Sequence, residues 1–153
     1  MAKANRVLIF VYGTLLNGCG NHSRYLKRPE VKFVADDTIQ AKMYTAHWGF
    51  PHVHLSESLD DKVFGEVYDV PMVLVTDGLD HLEGYDPERK DNLYNRKTTI
   101  TGSGREVFVY EAGSFIMRRP CAYLPGGDWR KALEEREIMP EKFPMSMHDI
   151  ETK

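Results

Sequence analysis

Apolar and β-branched residues along this chain come in short bursts separated by Gly, Asp and Pro, a punctuation that predicts strands and turns more than helices. The densest burst, residues 7–12, is β-branched and aromatic and reads as a buried strand that stops at Gly13. Further strands are predicted over residues 31–35, 38–44, 63–70, 97–101 and 107–111, with Tyr110 near the end of the last. Helical signals are fewer. Residues 22–26 can form a short helix that Pro29 blocks. Residues 77–83 place Leu79 and Leu82 three apart, with Asp77 as a cap and Gly84 as a stop. Residues 129–136 follow Asp128, a second cap, and set Lys131 and Glu135 at helical pairing distance. From Pro140 onward no period is present, so residues 140–153 read as a wrapping C-terminal arm or a disordered end. The pattern predicts a mostly β sheet or barrel with a few helices, and no internal repeat or low-complexity stretch interrupts it.

Bulk properties narrow the class. A length of 153 residues fits one domain with one core, spanning residues 1–153. A charged fraction of 28% and a net charge of −3 show no bias toward polyanions, so nucleic acid is not an expected partner. The longest apolar stretch falls short of the ~20 residues that cross a bilayer and no cleavage-site pattern follows it, so neither a membrane span nor a signal peptide is expected. A cytoplasmic protein is the expectation, and in that reducing setting Cys19 and Cys121 are read as free thiols. His22 is near Cys19 in sequence, which keeps a cysteine nucleophile open as a reading beside the plainer one of a packed, unreactive thiol.

Two segments far apart carry the chemistry. A tight Gly turn leaving a buried strand exposes consecutive backbone N–H groups that cannot all join the sheet, and such concavities bind carboxylates or phosphates. Here Gly13 permits close approach, Thr14 adds a hydroxyl donor and Tyr12 an aromatic wall. The plainer alternative is a strand end whose Gly serves turn geometry only. Glu83, at the C-terminal end of the predicted helix, faces the negative end of the helix dipole; with some burial its pKa would rise toward the range useful for general acid–base work. The alternative is a solvated helix-end residue. His52 and His54 flank Val53 and share one strand face, but no companion metal ligand stands at suitable spacing. Tyr94 and Arg96 alternate on one face, where Arg could hold a substrate carboxylate or simply decorate the sheet. Arg118 and Arg119 read as solvated charge.

These residues resemble the γ-glutamylcyclotransferase-like family, also called AIG2-like. Its Tyr-Gly-Ser/Thr-Leu signature is matched by Tyr12-Gly13-Thr14-Leu15 and its Asp-x-x-Glu-Gly-Tyr segment by Asp80-His81-Leu82-Glu83-Gly84-Tyr85. Gly49-Phe50-Pro51, the strand around Gly65, Tyr94-Asn95-Arg96, the strand ending at Tyr110 and the Gly127-Asp128-Trp129-Arg130 helix start follow in the family's order, so the likeness spans about residues 7 to 133. The resemblance implies an α+β fold, a small mixed β-barrel with a few flanking short helices. It also implies a reaction, in which the α-amine of a γ-glutamyl amide attacks its own side-chain carbonyl to give 5-oxoproline and a free amine. Glu83 would be the general acid/base, and Tyr12, Gly13, Thr14, Leu15, Tyr85, Tyr94, Arg96 and Tyr110 the substrate-binding set, with a small γ-glutamyl compound as partner and no metal or organic cofactor.

Departures from the family pattern fall in the polar, Gly-rich run 16–22, expected to border the pocket and set leaving-group preference, and at His52, expected to narrow or polarise the site. A second function stays open at this level: a non-catalytic module that keeps the pocket and binds a small carboxylated metabolite or a partner protein. A third is a hydrolase built on Cys19 and His22.

Overall fold

The computed structural model describes residues 5–19, 21–47 and 50–138, so the expected arm at 140–153 lies outside the described residues, as does Gly49. The strands are β1 (Arg6–Val11), β2 (Lys32–Ile39), β3 (Ala41–His47), β4 (Phe50–Leu55), β5 (Val63–Pro71), β6 (Tyr94–Ile100), β7 (Glu106–Ala112) and β8 (Ala122–Leu124). They form a five-stranded sheet in the order β2-β5-β1-β7-β6 and a three-stranded sheet in the order β4-β3-β8. Two sheets with a few short helices make the expected mixed α+β fold, although among the described residues the strands do not close into one ladder.

The apolar run at the start of the chain becomes β1, the middle strand of the larger sheet, antiparallel to β5 and parallel to β7. Its second half is buried without alternation, as a strand covered on both faces must be. One apolar cluster joins Ile9, Phe10, Val67, Val109, Leu79 and Trp129. Asp128 caps α5 (Trp129–Ile138) as the sequence predicts: its Oδ1 accepts the Lys131 N–H at 3.2 Å, and Trp129 at the first helical position is buried.

Three boundaries differ from expectation, each for a visible reason. Asp36-Asp37 read as a break, yet β2 runs through it, because Asp37 is buried with the Arg105 guanidinium at 2.9 Å and the Ser103 hydroxyl at 3.1 Å as donors. The single strand expected over 38–44 is two, β2 and β3, since the chain changes sheet at Gln40. Ile39, Ala41 and Met43 are all buried, so the period of two survives the corner and hides it. The strand face on which the sequence set His52 and His54 extends further, as β4, and takes in Pro51, which is tolerated because β4 is an edge strand. β8 and a short helix α4 (Ser114–Met117) were unread.

The helix expected to begin at Asp77 begins five residues earlier. α2 (Met72–Leu74) leaves β5 directly, runs through a π-helical turn (Val75–Leu79) and continues as α3 (Asp80–Leu82), so Asp77 is inside the helix and is no cap. The run Met72 to Val75 looks like more strand, which conceals the start. The end is as expected. Gly84 takes φ +66°, its N–H donates to the His81 carbonyl at 3.2 Å, and the Tyr85 N–H reaches the Asp80 carbonyl at 2.8 Å. This Schellman pair stops the helix and leaves Glu83 on its last turn. No described helix is long and apolar enough to cross a membrane.

Candidate active site

Where β1 runs out, a cavity of about 290 Å³ opens, lined by Tyr12, Gly13, Thr14 and Leu15 from the strand end, Phe50 and Pro51 from β4, Leu82 and Glu83 from the helix end, Tyr94 from β6 and Tyr110 from β7. Two segments separated by about seventy residues of chain therefore share one wall, as the sequence reading requires. Gly13 is needed there for space: a Cβ on it would lie 2.6 Å from Pro51 Cδ. The Gly13 carbonyl accepts the Leu16 N–H at 3.0 Å, which curls the chain into a turn. The N–H groups of Gly13, Thr14 and Leu15 themselves meet no acceptor among the described residues. Three successive unsatisfied amides at a cavity wall are a seat for a carboxylate.

Glu83 is half-buried, and its carboxyl has no hydrogen-bond or ion-pair partner among the described residues. Crowding by protein raises its pKa from 4.5 to about 7. Burial is the cause, where the sequence reading had also invoked the helix dipole. The three tyrosines around it cannot share its role. Tyr12 donates its hydroxyl proton to the Tyr110 carbonyl at 2.6 Å, Tyr94 to the Pro51 carbonyl at 2.6 Å, and Tyr110 to Asp80 Oδ1 at 2.6 Å. Burial holds all three hydroxyl pKa values well above the usual tyrosine value. They stay neutral near pH 7, where the Glu83 carboxyl titrates.

Arg96 and Tyr85, expected to touch substrate, stand elsewhere. The Arg96 guanidinium donates to Asp80 Oδ2 at 2.7 Å and lies over the rings of Tyr85 and Phe108, 5.4 and 4.8 Å from their centroids. Neither Arg96 nor Tyr85 lines the cavity. Asp80, one turn before Glu83, thus accepts from Tyr110 on β7 and from Arg96 on β6, and it docks the helix end that carries Glu83. The sequence marks Asp80 within a motif without a role, and it does not point to Phe50, Pro51, Leu82 or Leu93 at the cavity, whereas Asn21 lines it as expected of the run 16–22. Pro51 could have been found as the counterpart of a glycine that must have a close neighbour.

The weaker leads resolve differently. His52 is buried, does not line the cavity and leaves Nδ1 without a partner; burial, then the neighbouring His54, lowers its pKa to about 4. The two rings do share a face, 5.7 Å apart, but no cluster of three or more metal-ligating side chains exists among the described residues. Cys19 is half-buried, and burial raises its thiol pKa in spite of the Arg130 guanidinium nearby, while His22 Nδ1 contacts the Leu15 carbonyl at 2.9 Å and not the sulfur. Cys121 is a free exposed thiol. Arg118 pairs with Asp91 at the surface, and Arg119 lies over the Phe115 ring.

A protein of Halalkalibacterium halodurans named "Putative gamma-glutamylcyclotransferase" is 31% identical over 102 residues, 65% of this chain and 86% of that protein. A protein of the same name from Methanocaldococcus jannaschii is 31% identical over 125 residues, covering 80% of this chain and 94% of its own length. In fold, the chain is similar to the crystal structure of an AIG2-like protein from Mus musculus, with a TM-score of 0.57 at 23% identity over 71% of this chain and 78% of that one. The family model described as gamma-glutamyl cyclotransferase, AIG2-like, matches residues 9–131, which takes in both the Gly13 turn and Glu83, and the chain belongs to that family.

Proposed function

We propose that this protein is a γ-glutamyl cyclotransferase that converts a γ-glutamyl amine, amino acid or peptide-like conjugate to 5-oxoproline and a free amine. The observation that carries the reading is Glu83: an unpartnered carboxyl with a pKa near 7, lining one small cavity with three residues whose backbone amides are open.

The α-carboxylate of the glutamyl group sits on the amides of Gly13, Thr14 and Leu15. That anchor folds the glutamyl chain so that its α-nitrogen meets its own γ-carbonyl carbon, a shape the free substrate rarely visits. Glu83 takes one proton from the α-ammonium, and the resulting amine attacks the carbonyl carbon and closes a five-membered ring. Glu83 returns its proton to the leaving nitrogen and takes a second from the ring nitrogen, the bond to the leaving nitrogen breaks, and the second proton follows the first onto the departing amine. Of the three protons on the ammonium, one stays on the ring nitrogen and two leave with the departing amine, so the net reaction neither consumes nor releases a proton when that amine departs as a cation. A pKa near working pH suits a group that must be base first and acid second. The apolar walls, Phe50, Leu82, Leu93 and the tyrosine rings, keep bulk water from the carbonyl.

The test is incubation of the wild-type protein with a panel of γ-glutamyl amines and γ-glutamyl dipeptides, scoring 5-oxoproline by mass. Release from at least one compound is expected. A folded protein that binds 5-oxoproline but releases none from any compound would favour a non-catalytic binding module instead.

A further inference from the structure

Asn21 precedes the short helix α1 (His22–Tyr25) and occupies its N-cap position, where an Asn side chain normally accepts a backbone N–H from the first turn. It makes no such bond. Instead its Nδ2 donates to Thr14 Oγ1 at 2.9 Å, while its backbone N–H donates to the Thr14 carbonyl at 2.8 Å. Both Asn21 and Thr14 line the cavity. The next side chain, His22, likewise reaches back, to the Leu15 carbonyl.

The donor on Thr14 Oγ1 has a chemical consequence. A hydroxyl has one proton and rotates to suit its partners. With Asn21 Nδ2 occupying its acceptor side, the Thr14 proton must point elsewhere, and it meets no acceptor among the described residues. Since Thr14 lines the cavity, the proton is free to point into it, beside the amides of Gly13, Thr14 and Leu15.

Resting on the cyclotransferase reading above, we infer that Asn21 is a positioning residue for substrate binding: its amide fixes the Thr14 hydroxyl as a fourth donor to the glutamyl α-carboxylate. The role acts through Thr14, so the effect belongs to binding and to KM, while Glu83 and the chemical step are untouched.

The experiment is a double-mutant cycle on the full chain with Asn21→Ala, Thr14→Val and the pair, reading kcat and KM for a γ-glutamyl compound that the wild type turns over, and 5-oxoproline binding by calorimetry. Thr14→Val is expected to raise KM and weaken 5-oxoproline binding about ten-fold, the share of one hydrogen bond to a charged acceptor. Asn21→Ala should give about three- to ten-fold, with kcat within about two-fold of wild type, and the pair should be no worse than Thr14→Val alone. Thr14→Ser, which keeps the hydroxyl, should lose less 5-oxoproline binding than Thr14→Val. Should Asn21→Ala loosen the loop, seen as a lower melting temperature, Asn21→Asp keeps the shape but turns the donor into an acceptor that captures the Thr14 proton, and it should weaken 5-oxoproline binding at least as much.

An Asn21→Ala penalty that persists undiminished in the Thr14→Val background, or one that falls on kcat instead of KM, overturns the inference and leaves the cyclotransferase reading standing. So does Asn21→Asp binding 5-oxoproline like wild type. A wild type that neither binds 5-oxoproline nor releases it overturns both.

Discussion

Tyr110 donates its hydroxyl to Asp80 at 2.6 Å, and through that bond β7 holds the helix end on which Glu83 stands, three residues further on. Arg96 occupies the other oxygen of the same carboxylate, and both side chains of the ion pair are largely buried, 17% and 10% exposed. Removing one member strands the other. Asp80→Asn is expected to cost about 3 kcal/mol in urea unfolding, because it leaves a buried guanidinium without its counter-charge. Adding Arg96→Met to Asp80→Asn should recover part of that loss. A double variant less stable than Asp80→Asn would contradict this.

Gly13 and Pro51 set the width of the cavity. Since Gly13 does not have positive φ, the constraint is space and not backbone conformation. Gly13→Ala must push the turn off β4, at a stability cost of about 1–3 kcal/mol. The three amides move with it, so 5-oxoproline binding should fall by far more than stability does. Unchanged binding in that variant would show that the carboxylate sits elsewhere.

Glu83 and His52 are expected to tilt stability with pH in opposite directions. Glu83 has its pKa raised from 4.5 to about 7, so between those values the folded protein holds a proton that the unfolded chain has released, and stability falls as pH rises. His52 has its pKa lowered from 6.5 to about 4, so over that range the unfolded chain takes a proton that the folded one refuses, and stability is lost as pH falls. Relative to wild type, Glu83→Gln should therefore gain stability as pH rises from 4.5 to 7, and His52→Phe should gain it as pH falls from 6.5 to 4. Each difference is about 3 kcal/mol over its window. Urea unfolding at a series of pH values reads both, and differences of the same sign would contradict the assigned burial of one group.

Much of this was legible in the chain. The β1 run, the Gly84 stop and the Asp128 cap are local signals, and each appears where its chemistry places it. Glu83 could be singled out because a carboxylate before a helix-ending glycine is awkwardly placed for a charge. What the sequence hid depends on contacts between distant segments. Arg96 looks like a substrate ligand until Asp80, sixteen residues away, is seen to occupy it. β4 looks broken by Pro51 until it proves to be an edge. The helix start at Met72 is masked by β-branched residues that suit a strand equally well.

The central claim is that Glu83 carries the proton in ring closure. The most direct measurement compares wild type with Glu83→Gln for 5-oxoproline release from a γ-glutamyl compound, alongside 5-oxoproline binding as proof of an intact cavity. The account predicts binding within a few-fold of wild type and a rate lower by about 10²–10⁴-fold, the share of general acid–base catalysis. A Glu83→Gln variant that binds the product and still turns over at the wild-type rate would contradict it.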